Sequence, residues 1–153
     1  MRGTEDPMSR LHNRLRIDKD DLDEELIEHP TLIEDVGMQH ALAMSDYEAQ
    51  KEYLKHIAGR IESASIDRLQ RGGVTKPTAS QRDNAIEADE EWQRERAKLL
   101  KMSRTMNEWL ALKEAFIARG YALHNLTGLA IARMKADGGM SEFGGPSRDG
   151  TRR

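Results

Sequence analysis

The sequence predicts an all-α chain built as one long antiparallel helical hairpin, coiled-coil-like, with a short N-terminal helix and a C-terminal helix. Three observations predict it. Eleven positions (Ile33, Val36, His40, Ala43, Tyr47, Gln50, Leu54, Ile57, Ile61, Ala64 and Arg68) advance in steps of three and four without a slip. A repeat near 3.5 residues makes them one seam along a single helix. Arg71-Gly72-Gly73-Val74-Thr75-Lys76-Pro77 then breaks the helical pattern, because Gly supplies a left-handed helix end and Pro cannot continue the helix. After that turn a second stripe, Trp92, Leu99, Met102, Met106, Trp109 and Phe116, recurs at helical spacing. Two stripes joined by one turn can bury each other.

Composition agrees with a narrow core. The 153 residues fit one domain or one elongated unit. A third are charged and 5% are aromatic, which is little for a compact globule and sufficient for a hairpin that buries a stripe. The net charge of -3 selects no partner. The absence of cysteine excludes disulfides, thiolate chemistry and zinc–sulfur sites, and suits a reducing compartment. No apolar run approaches the roughly 20 residues of a membrane helix, and the N-terminus lacks the apolar core of a signal peptide.

Residues 1–17 carry Arg2, Arg10, Arg14 and Arg16 and read as a disordered basic arm. Residues 1–7 differ in character from the rest of the chain, and Met8 reads as a native start. Residues 18–135 read as a single helical domain. Asp18 caps a short helix whose first turns hold Asp20, Asp21, Asp23, Glu24 and Glu25, on the side favoured by the helix dipole. Leu22, Leu26 and Ile27 give it a small apolar face, and Pro30 stops it. Thr31 and Glu34 form a capping box for the long helix, which runs to about Gln70. Thr78 or Ser80 caps the next helix, which reads to about Ala118. From Met106 onward its apolar face broadens to include Leu110, Leu112 and Ile117. Gly120 marks a bend or a close approach, and Tyr121, Leu123, Leu126, Leu129, Ile131 and Met134 belong to a short last helix. Residues 136–153 read as a disordered tail.

A broad apolar face asks for more neighbours than one partner helix. Burial between copies of the chain is the expected answer. Met106, Trp109, Leu112, Phe116, Ile117, Tyr121, Leu123 and Leu126 are the candidate assembly residues.

No catalytic constellation emerges, and the expectation is a non-enzyme without metal or cofactor. The five histidines share no ligand spacing, and HExxH, GxSxG, P-loop and GxGxxG patterns are absent. His40 on the seam reads as a packed or partly wet core histidine. The missing Glu-x-x-His pairs exclude a ferritin-like di-metal bundle. The cations are more informative. Arg94, Lys98 and Lys101 share one helical face, as do Arg60, Arg68 and Arg71 on the other helix, and Lys76 and Arg82 flank the turn. Two readings stay open: a solvated face with intrahelical pairs such as Glu91 with Arg94 and Glu95 with Lys98, or a track for phosphates, which need only Lys and Arg at a regular rise. Stacking aromatics are scarce, with Tyr47, Tyr53 and Trp92 the candidates.

The order of segments resembles the UvsY recombination mediators of T-even-like phages. The likeness rests on the acidic opening Leu22-Asp23-Glu24-Glu25-Leu26, the basic turn from Arg68 to Gly73, and above all Ala115-Phe116-Ile117-Ala118-Arg119-Gly120-Tyr121-Ala122-Leu123. It spans roughly residues 20–134. The resemblance implies a homo-oligomeric ring, a hexamer or heptamer, that binds single-stranded DNA in the cytoplasm of the infected host cell. It also implies contact with a single-strand binding protein and a RecA-like recombinase, whose loading it assists. Arg68 and Arg71 match the family's DNA-binding pair most nearly. Asp67 interrupts that pattern and no Lys adjoins them, which brings Lys76, Arg82 and the second helix into consideration. Leu112, Phe116, Ile117, Tyr121 and Leu123 match its assembly helix. The alternative is an oligomeric coiled-coil scaffold or assembly adaptor of a phage, without DNA affinity.

Overall fold

A computed structural model describes residues 6–142, with side chains to residue 138. The described residues form four helices and no strand: α1 (Pro7–Asn13), α2 (Leu22–Arg71), α3 (Ala79–Glu87) and α4 (Glu90–Glu142). The long helices α2 and α4 pack against each other. The chain divides into two compact units, one of residues 34–114 and one made by the segments up to Ile33 and from Ala115.

In the unit of residues 34–114, Val36 and Ile57 of α2 and Trp109 and Leu112 of α4 are buried. The helices run antiparallel: the Gln50 side-chain amide donates to the Glu95 carboxylate at 2.9 Å, and Arg60, further along α2, pairs with Glu91, earlier in α4. The expected seam holds from Ile33 to Ile61, where every position is wholly or partly covered. Beyond Ile61 it moves by one residue. Ser65 is buried and Leu69 partly covered, while Ala64 and Arg68 are exposed. An α-helix of 3.6 residues per turn drifts from a strict 3.5 repeat, and Ala85 of α3 and Ala88 just after it line a cleft with Ile61, Ala64, Ser65 and Arg68. Arg68 is therefore a surface residue and not the last step of the seam.

Helix α2 ends as the turn signal requires. The Val74 amide donates to the Leu69 carbonyl and the Gly73 amide to the Gln70 carbonyl, which is the Schellman arrangement. Gly73 sits at φ 92, a left-handed conformation that costs a side-chain-bearing residue about 1–2 kcal/mol. Thr78 then caps α3 in a reciprocal box with Gln81. The second long helix differs from expectation, because α3 stops at Glu87 and α4 starts at Glu90. Asp89 causes the restart: its carboxylate accepts from the Trp92 amide at 3.0 Å, and Glu90 and Glu91 occupy the first turn.

In the other unit, α1 replaces part of the expected arm. Asp6 caps it by accepting from the Ser9 amide at 3.2 Å, and Pro7 occupies its first turn. The acidic segment and the long helix are continuous, so Pro30 lies inside α2 and the expected box of Thr31 with Glu34 does not form. Pro removes one backbone hydrogen bond, but Pro30 is exposed, as is Leu26, whose carbonyl loses its partner. Packing just before the proline outweighs the local preference: His29 stacks on buried Phe116, with ring centroids 6.5 Å apart. Asp21 rather than Asp18 is the cap, accepting from the Glu24 amide at 3.4 Å. Helix α4 passes straight through Gly120, which is the close approach and not the bend. A Cβ there would lie 2.6 Å from His29 Nε2. The helix also continues through residues 136–142, read from sequence as tail. The rest of that tail, 143–153, and residues 1–5 lie outside the described residues.

A buried ion pair organises this unit. Arg119 of α4 pairs with Glu25 of α2, their side chains 2% and 11% exposed. Arg119 Nη1 lies 3.0 Å from His29 Nδ1, so the guanidinium, which has only donors, donates a hydrogen bond that Nδ1 accepts. The Glu25 carboxylate also accepts the Asp18 amide at 2.8 Å.

Candidate nucleic-acid interface

The structure sorts the eight candidate cations into two groups. Four are engaged by carboxylates. Arg60 pairs with Glu91, Arg82 with Glu62 at 2.6 Å, Lys98 with Glu95 at 2.7 Å, and Arg94 lies 3.9 Å from Glu95. The expected pair of Glu95 with Lys98 is present, whereas Glu91 turns to Arg60 on the facing helix instead of to Arg94. Glu95 is buried, and hydrogen bonds from Lys98 and then Gln50 hold its carboxyl below the usual carboxylate range.

Arg68, Arg71, Lys76 and Lys101 form the second group. All are exposed, and among the described residues no carboxylate stands within ion-pair distance of any of them. Arg68 and Arg71 occupy the last turn of α2 and share a shallow cleft with Ala64 and Asp67. Lys76 lies on the loop five residues after Arg71. A helix C-terminus attracts cations through its dipole, which explains Arg68 and Arg71 in part. It does not extend to Lys76, beyond the helix. Arg68 and Arg71 therefore make a cationic last turn of α2, with Lys76 on the loop after it, while Lys101 stands apart on α4.

The candidate assembly residues also divide. Trp109, Leu112, Phe116 and Leu123 are buried within the chain itself. Met106 and Leu126 are partly covered. Ile117 and Tyr121 are outward, 42% and 71% exposed, and Leu129, Ile131 and Met134 are exposed further along α4.

Two arrangements escaped the sequence reading. Arg96 lies over the Trp92 ring, 5.0 Å from its centroid, and their spacing of one helical turn was a legible signal. The cluster of Glu25, His29 and Arg119 joins residues about 90 positions apart, and no local pattern announces it. Among the described residues no group of side chains is arranged to hold a metal ion, and no helix is long and apolar enough to cross a membrane.

No family model, curated protein or solved structure matches this chain.

Proposed function

We propose that this protein binds single-stranded DNA through the cationic end of α2. It acts as a homo-oligomeric recombination mediator that helps load a RecA-like recombinase onto DNA covered by single-strand binding protein. One observation carries the DNA-binding part: Arg68 and Arg71 in the last turn of α2, and Lys76 on the loop that follows, are exposed, and among the described residues none of them stands in an ion pair. The recombination context comes from the resemblance to the UvsY family. Cations held in internal pairs have little to offer a phosphate, whereas these three release counterions when a strand binds. Their contact is weak in one protomer, and a ring multiplies it through avidity. Titration of a fluorescent oligonucleotide by anisotropy, at low and at high salt, tests the reading. Tight binding at low salt that fades at high salt supports it; absence of binding at low salt removes it.

A second reading, an assembly scaffold without DNA affinity, draws on the outward apolar residues Ile117, Tyr121, Leu129, Ile131 and Met134. Such a face suits contact with other copies of the chain. Oligomers of fixed mass combined with no oligonucleotide binding would favour it.

A further inference from the structure

We propose that Trp92 and Arg96, at the start of α4, form a stacking site for one unpaired nucleobase. The inference rests on the single-strand reading above and extends the interface from the end of α2 onto a second helix.

The two tryptophans are built differently. Trp109 is 7% exposed and belongs to the core. Trp92 is only partly covered, and its ring carries the Arg96 guanidinium 5.0 Å from the centroid. Arg96 is exposed, and among the described residues it has no carboxylate partner. One turn further on, Leu100 is 64% exposed, at a position where a merely solvated face would hold a polar residue. These three side chains line a shallow cleft together with Glu87, Gln93 and Ala97. The floor is braced, because the Gln93 side chain donates to the Glu87 carbonyl at 2.7 Å across the junction of α3 and α4.

The chemistry of the cleft selects a base rather than a phosphate. It carries one cation and one carboxylate, so it is close to neutral. It offers the exposed Arg96 guanidinium, already seated on the Trp92 ring, and an apolar side chain beside them. Every nucleobase has a π face to set against such a surface, and stacking on aromatic and guanidinium planes is how sequence-tolerant single-strand sites hold bases. The location fits as well. Trp92 adjoins Glu91, which pairs with Arg60. From Arg60 to Arg68 the helix rises about 12 Å at 1.5 Å per residue, so along the helix axis Trp92 and the end of α2 are separated by only a few nucleotides' length.

The test is the intrinsic tryptophan fluorescence of the full chain, titrated with oligothymidylate alongside anisotropy. Trp109 is buried, so Trp92 is the reporter. We expect saturable quenching that tracks the anisotropy curve and vanishes in Trp92→Phe. Trp92→Ala and Arg96→Ala should each weaken binding roughly tenfold, within what one lost stacked base brings, while the helical circular-dichroism signal at the assay temperature stays unchanged. An oligonucleotide of abasic residues should bind less tightly by a similar factor. Binding by anisotropy without quenching, and with full affinity in Trp92→Ala and Arg96→Ala, would overturn the stacking site and leave the cationic end of α2 standing. No binding by the unsubstituted chain would overturn both.

Discussion

Arg119→Met removes the charge from the ion pair with Glu25 and keeps most of the side-chain volume. The pair is the most enclosed charge contact among the described residues, with side chains 2% and 11% exposed. Removing one partner of a buried pair leaves an uncompensated charge and costs about 3–5 kcal/mol. Glu25 would still accept the Asp18 amide at 2.8 Å, which places the expected loss near the lower end, about 3 kcal/mol. In a chain of this size each kcal/mol moves the melting temperature by about 2–4 °C, so the loss amounts to about 6–12 °C. Thermal unfolding monitored by circular dichroism measures it. Glu25→Leu combined with Arg119→Met should recover most of the loss, because an apolar pair has no buried charge to satisfy. What remains belongs to His29, which loses its donor. A melt of Arg119→Met within about 1 °C of the unsubstituted chain would refute the reasoning.

Helix continuity, titration and packing set further outcomes. Pro30→Ala restores a backbone hydrogen bond inside a continuous helix at an exposed position, and should stabilise the chain by about 1–3 kcal/mol in urea unfolding; a lower midpoint would contradict the continuity of α2. Burial first, and then the Arg119 charge, push His29 below its ordinary range against the pull of Glu25. The unfolded imidazole therefore takes up the proton first. The stability His29 contributes is whole above about pH 6.5 and lost as pH falls through that value toward the depressed one. His29→Gln should flatten this acid slope in melts, and an unchanged slope would exclude His29 as its source. Burial pushes Glu25 up, but the Asp18 amide and then Arg119 outweigh it and leave the carboxyl lowered. Its contribution is present above about pH 4.3 and lost as pH falls through the folded value. Ile117→Asp with Tyr121→Asp should reduce the mass seen by light scattering without lowering helicity, whereas Phe116→Asp at a buried position should unfold its unit. An unchanged mass in the double variant would remove this face of α4 as the oligomer interface.

The parts of the fold that were legible in sequence are those set by local periodicity and end signals. The seam from Ile33 to Ile61, the Gly73 end of α2 and the Thr78 cap all depend on residues a few positions apart. The failures have physical causes. Pro30 breaks a helix by local preference, but His29 beside it stacks on Phe116, 87 positions away in sequence. Arg68 left the seam because the drift of 3.6 against 3.5 accumulates along a long helix, and a run of small side chains conceals where it takes effect. Asp89-Glu90-Glu91 was a cap signal hidden inside an acidic stretch. The broad apolar face of α4 was visible as composition, but its division into buried Trp109, Leu112, Phe116 and Leu123 and outward Ile117 and Tyr121 depends on tertiary contacts. Among the cations, paired and unpaired residues looked alike in sequence, since Glu62 and Glu91 reach their arginines from elsewhere in the chain.

The most direct test of the DNA reading is the salt dependence of oligonucleotide binding for the unsubstituted chain and for Arg68→Glu, Arg71→Glu and Lys76→Glu combined. Three phosphate contacts on a single strand contribute a slope of about −2 in the logarithm of affinity against the logarithm of salt. We expect the unsubstituted chain to show at least that slope, and the triple variant to lose both the slope and the low-salt affinity while keeping its oligomeric mass. Equal affinity and equal slope in the two proteins would contradict the assignment of DNA binding to the end of α2.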